Sequence, residues 1–206
     1  MIAGRGLLLC ALVVQLTPAT APAERGSSVR AERIFEALEL REGMTVCEVG
    51  AGDGELTLAA ARVIGTTGRV YTNELGRSRV RTLRRSVRRS GLPQITVVEA
   101  REDATNFPDQ ACDALFMRNV YHHFSDPPAM NAALRRALKP GARLAVVDFA
   151  PRGEEAERPA DRAGGRAHGI AAATLKGELA AAGFEPVSEE SGSGRWFMLV
   201  ADNPAR

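Results

Sequence analysis

Along most of the chain, short apolar runs alternate with longer stretches in which apolar positions return every three or four residues. The short runs read as buried strands, and the periodic stretches as helices with one face against a core. A helix is expected over 27–38, capped by Ser27 or Ser28, with Val29, Ile34, Ala37 and Leu38 on its apolar face. Strands follow over 44–49, 69–73, 95–98, 111–118 and 143–149, with helices over 56–64, 77–90 and 127–138 between them. A connection rich in proline, glycine and charge covers 151–169. After it come a helix over 171–182 and two strands, 185–189 and 196–201, joined by Ser191-Gly192-Ser193-Gly194 as a hairpin. Strands and helices in this alternation predict an α/β fold around a largely parallel sheet.

The first 23 residues break the pattern. Arg5 precedes the apolar run 6–16, and the small, proline-containing stretch 17–23 ends in Ala21-Pro22-Ala23 before Glu24. This is the layout of a secretory leader, with an apolar run too short for a membrane-spanning helix. Residues 1–23 are therefore expected to be a signal peptide and 24–206 the functional domain, exported and periplasmic in a bacterium. A retained leader and a cytoplasmic protein is the alternative.

The rest of the composition is ordinary: 206 residues, 45% hydrophobic and 25% charged, suit one domain with one core. The formal charge of +2 includes Arg5 and gives no global attraction to nucleic acid. Cys10, Cys47 and Cys112 lie far apart with no metal-ligand spacing, so Cys47 and Cys112 are expected to be reduced core residues.

The most informative segment is Val46-Cys47-Glu48-Val49-Gly50-Ala51-Gly52-Asp53-Gly54, where a strand ends in three closely spaced glycines. Glycine admits unusual torsions and leaves no side chain between backbone and ligand. The spacing G-x-G-x-G differs from the G-x-G-x-x-G of the dinucleotide fingerprint, and the acid Glu48 lies within the strand before it. A second strand, Val70-Tyr71-Thr72-Asn73-Glu74, ends in an acid about 20 residues on, where adenosine-binding α/β folds place a ribose-hydroxyl acceptor. A third leads to Glu102-Asp103-Ala104. Then come Cys112-Asp113-Ala114-Leu115-Phe116-Met117-Arg118-Asn119-Val120 and Leu138-Lys139-Pro140-Gly141 before the fifth strand.

Taken in order from about residue 31 to 148, these segments resemble the class I, Rossmann-like S-adenosylmethionine-dependent methyltransferases of small molecules. Arg118-Asn119-Val120 and the Leu-Lys-Pro-Gly turn are locally similar to the quinone-biosynthesis C-methyltransferases within that class. Ala142 departs from that pattern, since a second glycine is usual there, and Tyr121-His122-His123-Phe124 looks like the broader small-molecule group. The resemblance implies a three-layer Rossmann-like sandwich with a mostly parallel seven-stranded sheet and a C-terminal antiparallel hairpin. It implies S-adenosylmethionine as cofactor, held by Glu48, Gly50, Ala51, Gly52, Asp53, Gly54, Glu74, Leu75, Asp103, Ala104, Arg118 and Asn119. Asp103 matches the acceptor of the adenine amino group best, and Glu102 is its substitute. The implied partner is a small-molecule acceptor, with a monomer or homodimer as the working unit.

His122 and His123 follow the fourth strand, where this class opens its pocket, and His168 ends the long connection. Each is a candidate general base or substrate-orienting group, and each is equally readable as a hydrogen-bonded structural histidine. Adjacent side chains on a regular element diverge, so no metal site is expected. The lid role expected for 151–169 would bring His168 down onto the acceptor. Arg77, Arg79, Arg81, Arg84, Arg85, Arg88 and Arg89 alternate with Val80, Leu83 and Val87 at helical spacing, which makes them a solvated helix face and not a nucleic-acid surface. Three other readings remain open at this point: a nicotinamide oxidoreductase, a cofactor-binding protein without turnover, and a methyltransferase of RNA or protein.

Overall fold

A computed structural model describes residues 29–205, so the leader, Cys10 and the candidate caps Ser27 and Ser28 lie outside the described residues. In chain order the elements are α1 (Ala31–Ala37), β1 (Thr45–Val49), α2 (Glu55–Ile64), β2 (Arg69–Leu75), α3 (Arg77–Ser90), β3 (Ile95–Ala100) and β4 (Cys112–Arg118). They continue with α4 (Pro127–Ala137), β5 (Leu138–Phe149), α5 (Ala172–Ala181), β6 (Glu185–Ser191) and β7 (Trp196–Asp202). The seven strands make one sheet in the order β3-β2-β1-β4-β5-β7-β6. β1 to β5 run parallel, and β7 inserts antiparallel between β5 and β6. The mostly parallel sheet and its closing hairpin are as the sequence led us to expect.

Alternation along the central strands explains the three layers. Val46, Ala114, Phe116, Ala145 and Val147 point to one face and pack with Ile34 and Phe35 of α1 and Leu56, Ala60, Ala61 and Ile64 of α2. Their neighbours Cys47, Leu115, Met117, Leu144 and Val146 point to the other, against Met130, Ala133 and Leu134 of α4 and Leu175 and Leu179 of α5. A strand buried on both faces has no polar side to show, which is why these runs read as continuous apolar sequence. The arginine-rich α3 buries Val80 and Leu83 and leaves all seven arginines exposed, as its spacing predicts.

Three local expectations are corrected. The first helix begins after Arg30, which makes no side-chain cap, and not after a serine. β5 begins at Leu138 and runs through Lys139-Pro140-Gly141, which the sequence presents as a turn. Gly141 there adopts φ +78° and donates to Asn203 O at 2.6 Å, so the edge is held by the C-terminal segment despite the proline. Cys47 and Cys112 are not free thiols: they form a disulfide across 65 residues, with Cα atoms 5.7 Å apart, and both are fully buried. The pair was invisible in the sequence because neither cysteine has a near neighbour to suggest it.

Chain direction sets the site. From β1 the chain moves outward to β2 and β3, then returns to the other side of β1 for β4. The loops after β1 and β4 therefore leave the sheet in opposite directions and open a crevice at its carboxyl edge, the position where open α/β sheets hold ligands.

Candidate functional site

That crevice holds a cavity of about 770 Å³. Its walls come from the end of β1 and the glycine turn, from Asn73, Glu74 and Leu75 of β2, from Ala100 to Glu102 after β3, and from Arg118 to Val120 and His123 to Ser125 after β4.

The glycine turn is fastened to β2 by its own amides. Gly50 N–H donates to Asn73 Oδ1 at 3.0 Å, Ala51 N–H to Asn73 O at 3.0 Å, and Gly52 N–H to Glu74 Oε1 at 2.6 Å. Gly50 and Gly52 have φ of +69° and +59°, a region that disfavours side chains. A Cβ on Gly50 would collide with Val120 Cγ2 at 2.6 Å, whereas one on Gly52 would meet nothing within 4 Å. Gly50 thus serves close packing, and Gly52 keeps a bare backbone beside the cavity.

Glu74 is nearly buried. It also accepts from Leu75 N–H at 3.1 Å and has Arg79 Nη1 at 4.0 Å, which leaves other carboxylate lone pairs for the cavity. Asn73, fully buried, donates to Thr105 O at 2.8 Å and so links the turn to the segment after β3. Sequence reasoning missed Asn73, since an asparagine inside an apolar strand carries no motif. Glu48 accepts from Thr57 Oγ1, which lies 2.9 Å from Thr72 Oγ1. Burial pushes its carboxyl up to about 7 against the opposing effect of Thr57 and Arg118.

Of the residues expected to hold a cofactor, Glu48, Gly50, Ala51, Gly52, Asp53, Glu74, Leu75, Arg118 and Asn119 share the cavity wall. Gly54 lies behind it, as the residue that starts α2 with φ +93°. Asp103 does not reach the wall. It is exposed, paired with Arg101 Nε at 3.0 Å, and faces a shallow hollow shared with Glu102, Ser125 and Asp126. Arg101 holds its carboxyl below the usual range. Ala104 closes that tight turn by pairing with Arg101. Glu102, the substitute, is the acid that faces the main cavity.

The histidines come together differently from expectation. His122 is fully buried: its Nδ1 is 2.8 Å from Asp148 Oδ1 and its backbone N–H donates to Asp148 Oδ2 at 3.2 Å. Its Nε2 stands 3.0 Å from His168 Nε2. His123 reaches the cavity wall, and its ring centroid is 4.1 Å from that of His122. The two neighbours lie in a single tight turn, Tyr121–His123, and their rings stay close, tilted by 40°, where a longer regular element would splay them. Loss of water lowers the proton affinity of His123 and His168; His122 adds to it at both, with His168 contributing at His123 and Arg195 at His168. Asp148 was missed because it lies near the end of a strand, β5, that otherwise reads as core.

The lid expectation is also corrected. Among the described residues, none from 151–169 lines the cavity. The connection is pinned: Glu155 accepts from Ala171 N–H at 2.9 Å and from Thr174 Oγ1 at 2.6 Å, and buried Arg162 pairs with Glu178 at 2.8 Å. His168 therefore reaches the other two histidines from behind the wall.

A family model described as "Methyltransferase domain" matches residues 23–189. The chain belongs to the methyltransferase-domain family, in its class I, Rossmann-like form. It is 32% identical over 116 residues to the ubiquinone/menaquinone biosynthesis C-methyltransferase UbiE of Shewanella halifaxensis, a match covering 56% of this chain and 46% of that protein. The match thus spans about half the length of that relative. Among solved structures, a SAM-dependent methyltransferase from Aquifex aeolicus is 26% identical, with a TM-score of 0.73 over 84% of this chain and 88% of that one. The [4+2]-cyclase SpnF, 21% identical, also reaches 0.73 over 85% and 80%. A cyclase on the same fold is a reminder that the fold alone does not fix the reaction. Among the described residues, no helix is long and apolar enough to cross a membrane.

Proposed function

We propose that this protein transfers a methyl group from S-adenosylmethionine to a small-molecule acceptor. The observation that carries the reading is the charge and bonding of the cavity. The amides of Gly50, Ala51 and Gly52 are already bonded to β2, and Glu48, Asp53, Glu55, Glu74 and Glu102 outnumber Arg79, Arg101 and Arg118 on the walls. A dinucleotide's diphosphate needs free amides at this turn and would meet net negative charge. A cationic ligand with ribose hydroxyls and an amino group meets acceptors instead. This argues against the nicotinamide oxidoreductase.

The residues present fit such a ligand. Glu74 presents its remaining lone pairs to a ribose diol, and Gly52 leaves the open space that any side chain would fill. Leu75, 44% exposed at the wall, offers an apolar surface to a purine face. Glu102 is placed to accept from an adenine amino group, and Glu48 to respond to positive charge. When bound, the cofactor supplies a methyl group already activated on a sulfonium. What remains for the chain is to orient the two reactants and exclude water. His123, at the acceptor side of the wall, is the titratable side chain best placed to take a proton from an acceptor.

Incubating the protein with labelled S-adenosylmethionine and a metabolite extract, followed by mass spectrometry, tests the proposal. A methylated small molecule that depends on the protein is expected. Cofactor binding without product from any extract would favour the silent binding protein, and label in RNA or protein would redirect the acceptor class.

A second reading concerns location. The buried Cys47–Cys112 disulfide supports work in an oxidising compartment, because such bonds persist there and not in a reducing cytoplasm. We therefore propose that the leader directs export. Mass spectrometry of the native protein, alkylated before and after reduction, should find both thiols blocked and Glu24 at the N-terminus. Free thiols and an intact Met1 would reverse it.

A further inference from the structure

We propose that His122, His123 and His168 form a binding site for a divalent transition-metal ion of the zinc type, set against the acceptor side of the cavity. The inference does not depend on the methyltransferase reading. One ring nitrogen from each histidine falls within 4.8 Å of the others, although His168 is 46 residues from His122 in sequence. Ligand nitrogens about 2.0–2.1 Å from a zinc ion stand roughly 3.4 Å apart at the tetrahedral angle. The 3.0 Å between His122 Nε2 and His168 Nε2 is already close to that spacing. His123, exposed at the wall, has the rotational freedom to close the remainder.

Asp148 makes this arrangement more than a cluster of imidazoles. Its carboxylate accepts from His122 Nδ1 at 2.8 Å, from His122 N–H at 3.2 Å and from Phe149 N–H at 2.8 Å, all within a fully buried setting. A carboxylate so held fixes the His122 tautomer with its proton on Nδ1 and turns the Nε2 lone pair toward His168. A carboxylate behind a ligating imidazole is the usual outer support of zinc-bound histidine. Three neutral imidazoles with one carboxylate behind them leave a fourth position for water or an acceptor oxygen, the layout of a reactive site and not of a closed structural one. The ring of His123 brings that position to the cavity. Arg195, the nearby cation, is turned onto Ala150 O and lies over the Phe149 ring at 4.7 Å. Both described cysteines are joined in a disulfide, so thiolates do not compete for the ion.

The test uses full-length protein without a histidine tag, stripped with a chelator and titrated with Zn²⁺ by calorimetry and with Co²⁺ by visible absorption. One ion per chain is expected, with intense visible Co²⁺ bands of a low-coordinate site. His168→Ala, on a half-buried loop position, should weaken Zn²⁺ at least tenfold, and Asp148→Asn by about 10- to 100-fold. Since Asp148 is buried and its variant can fail to fold, exposed His123→Ala provides the second test and should also lose at least tenfold. Affinity for S-adenosylhomocysteine, measured in parallel, reports the cofactor reading separately. No stoichiometric binding of either ion, or equal Zn²⁺ affinity in wild type, His168→Ala and His123→Ala, would overturn the site.

Discussion

The two halves of the crevice are built in opposite ways. On the β1–β2 side, the working groups come from two short stretches, 48–54 and 73–75, and are joined mostly through backbone amides. On the β4–β5 side, His122, Asp148 and His168 arrive from three separate segments and meet chiefly through side chains, with one backbone amide, that of His122, bonded to Asp148. Backbone amides constrain sequence through glycine and spacing, so the first half writes a motif. Side-chain convergence constrains only the final position, so the second half writes none.

The halves are joined through the core by Cys47 of β1 and Cys112 of β4. Removing that bond with Cys47→Ala and Cys112→Ala together should give the largest effect. Closing a 65-residue span removes chain entropy from the unfolded state worth about 4 kcal/mol on the loop-length relation. Urea unfolding of the double variant against the oxidised protein reads the loss. Equal midpoints would mean that the two halves need no covalent link.

Glu74→Ala addresses the cradle alone. It removes a charged acceptor from the ligand and frees the Gly52 amide it holds. With two hydrogen bonds at ~1.5–3 kcal/mol each, affinity for S-adenosylhomocysteine should fall by about 10²-fold or more. Zn²⁺ affinity should not change, which separates the halves functionally.

Glu48→Gln probes pH dependence. The folded carboxyl stands at about 7 against an ordinary 4.5, so the folded state holds this proton more tightly than the unfolded chain. Its contribution to stability is complete below about pH 4.5 and lost as pH rises through about 7, a span worth ~3 kcal/mol. The variant should lack that loss. Its stability relative to wild type should therefore grow between those limits in melts across pH, and parallel curves would contradict a buried, proton-holding Glu48.

Asn73→Ala should have the smallest effect. It leaves the Gly50 amide and Thr105 carbonyl without their partner. A stability loss of about 1–3 kcal/mol is expected, with weaker cofactor binding as the turn loosens. Retained stability and affinity would show that backbone contacts alone hold the turn.

The same contrast explains what the sequence revealed. The periodicity of α3 gives Arg77–Ser90 without error, because seven exposed arginines leave its apolar stripe unmistakable. The G-x-G-x-G turn, Glu48 and Glu74 were readable because torsion and spacing are properties of local sequence. Asp103 was preferred over Glu102 because adjacent acids in a turn differ only in which way they face; in the structure Asp103 pairs with Arg101 and Glu102 lines the cavity. Pro140 and Gly141 hid the start of β5, since the Asn203 contact that holds this edge lies over 60 residues away. Cys112 and His168 were visible as residues but not as partners, for the same reason.

The central claim is that the cradle takes a cationic adenosyl ligand in preference to a dinucleotide. Calorimetric titration with S-adenosylmethionine at pH 6 and pH 8.5, in buffers of different ionisation enthalpy and with NAD as competitor, tests it directly. One site per chain is predicted, with proton release at the lower pH as Glu48 ionises beside the bound cation, little release at the higher pH, and no displacement by NAD. Absence of binding, or tighter binding of NAD, would contradict the account.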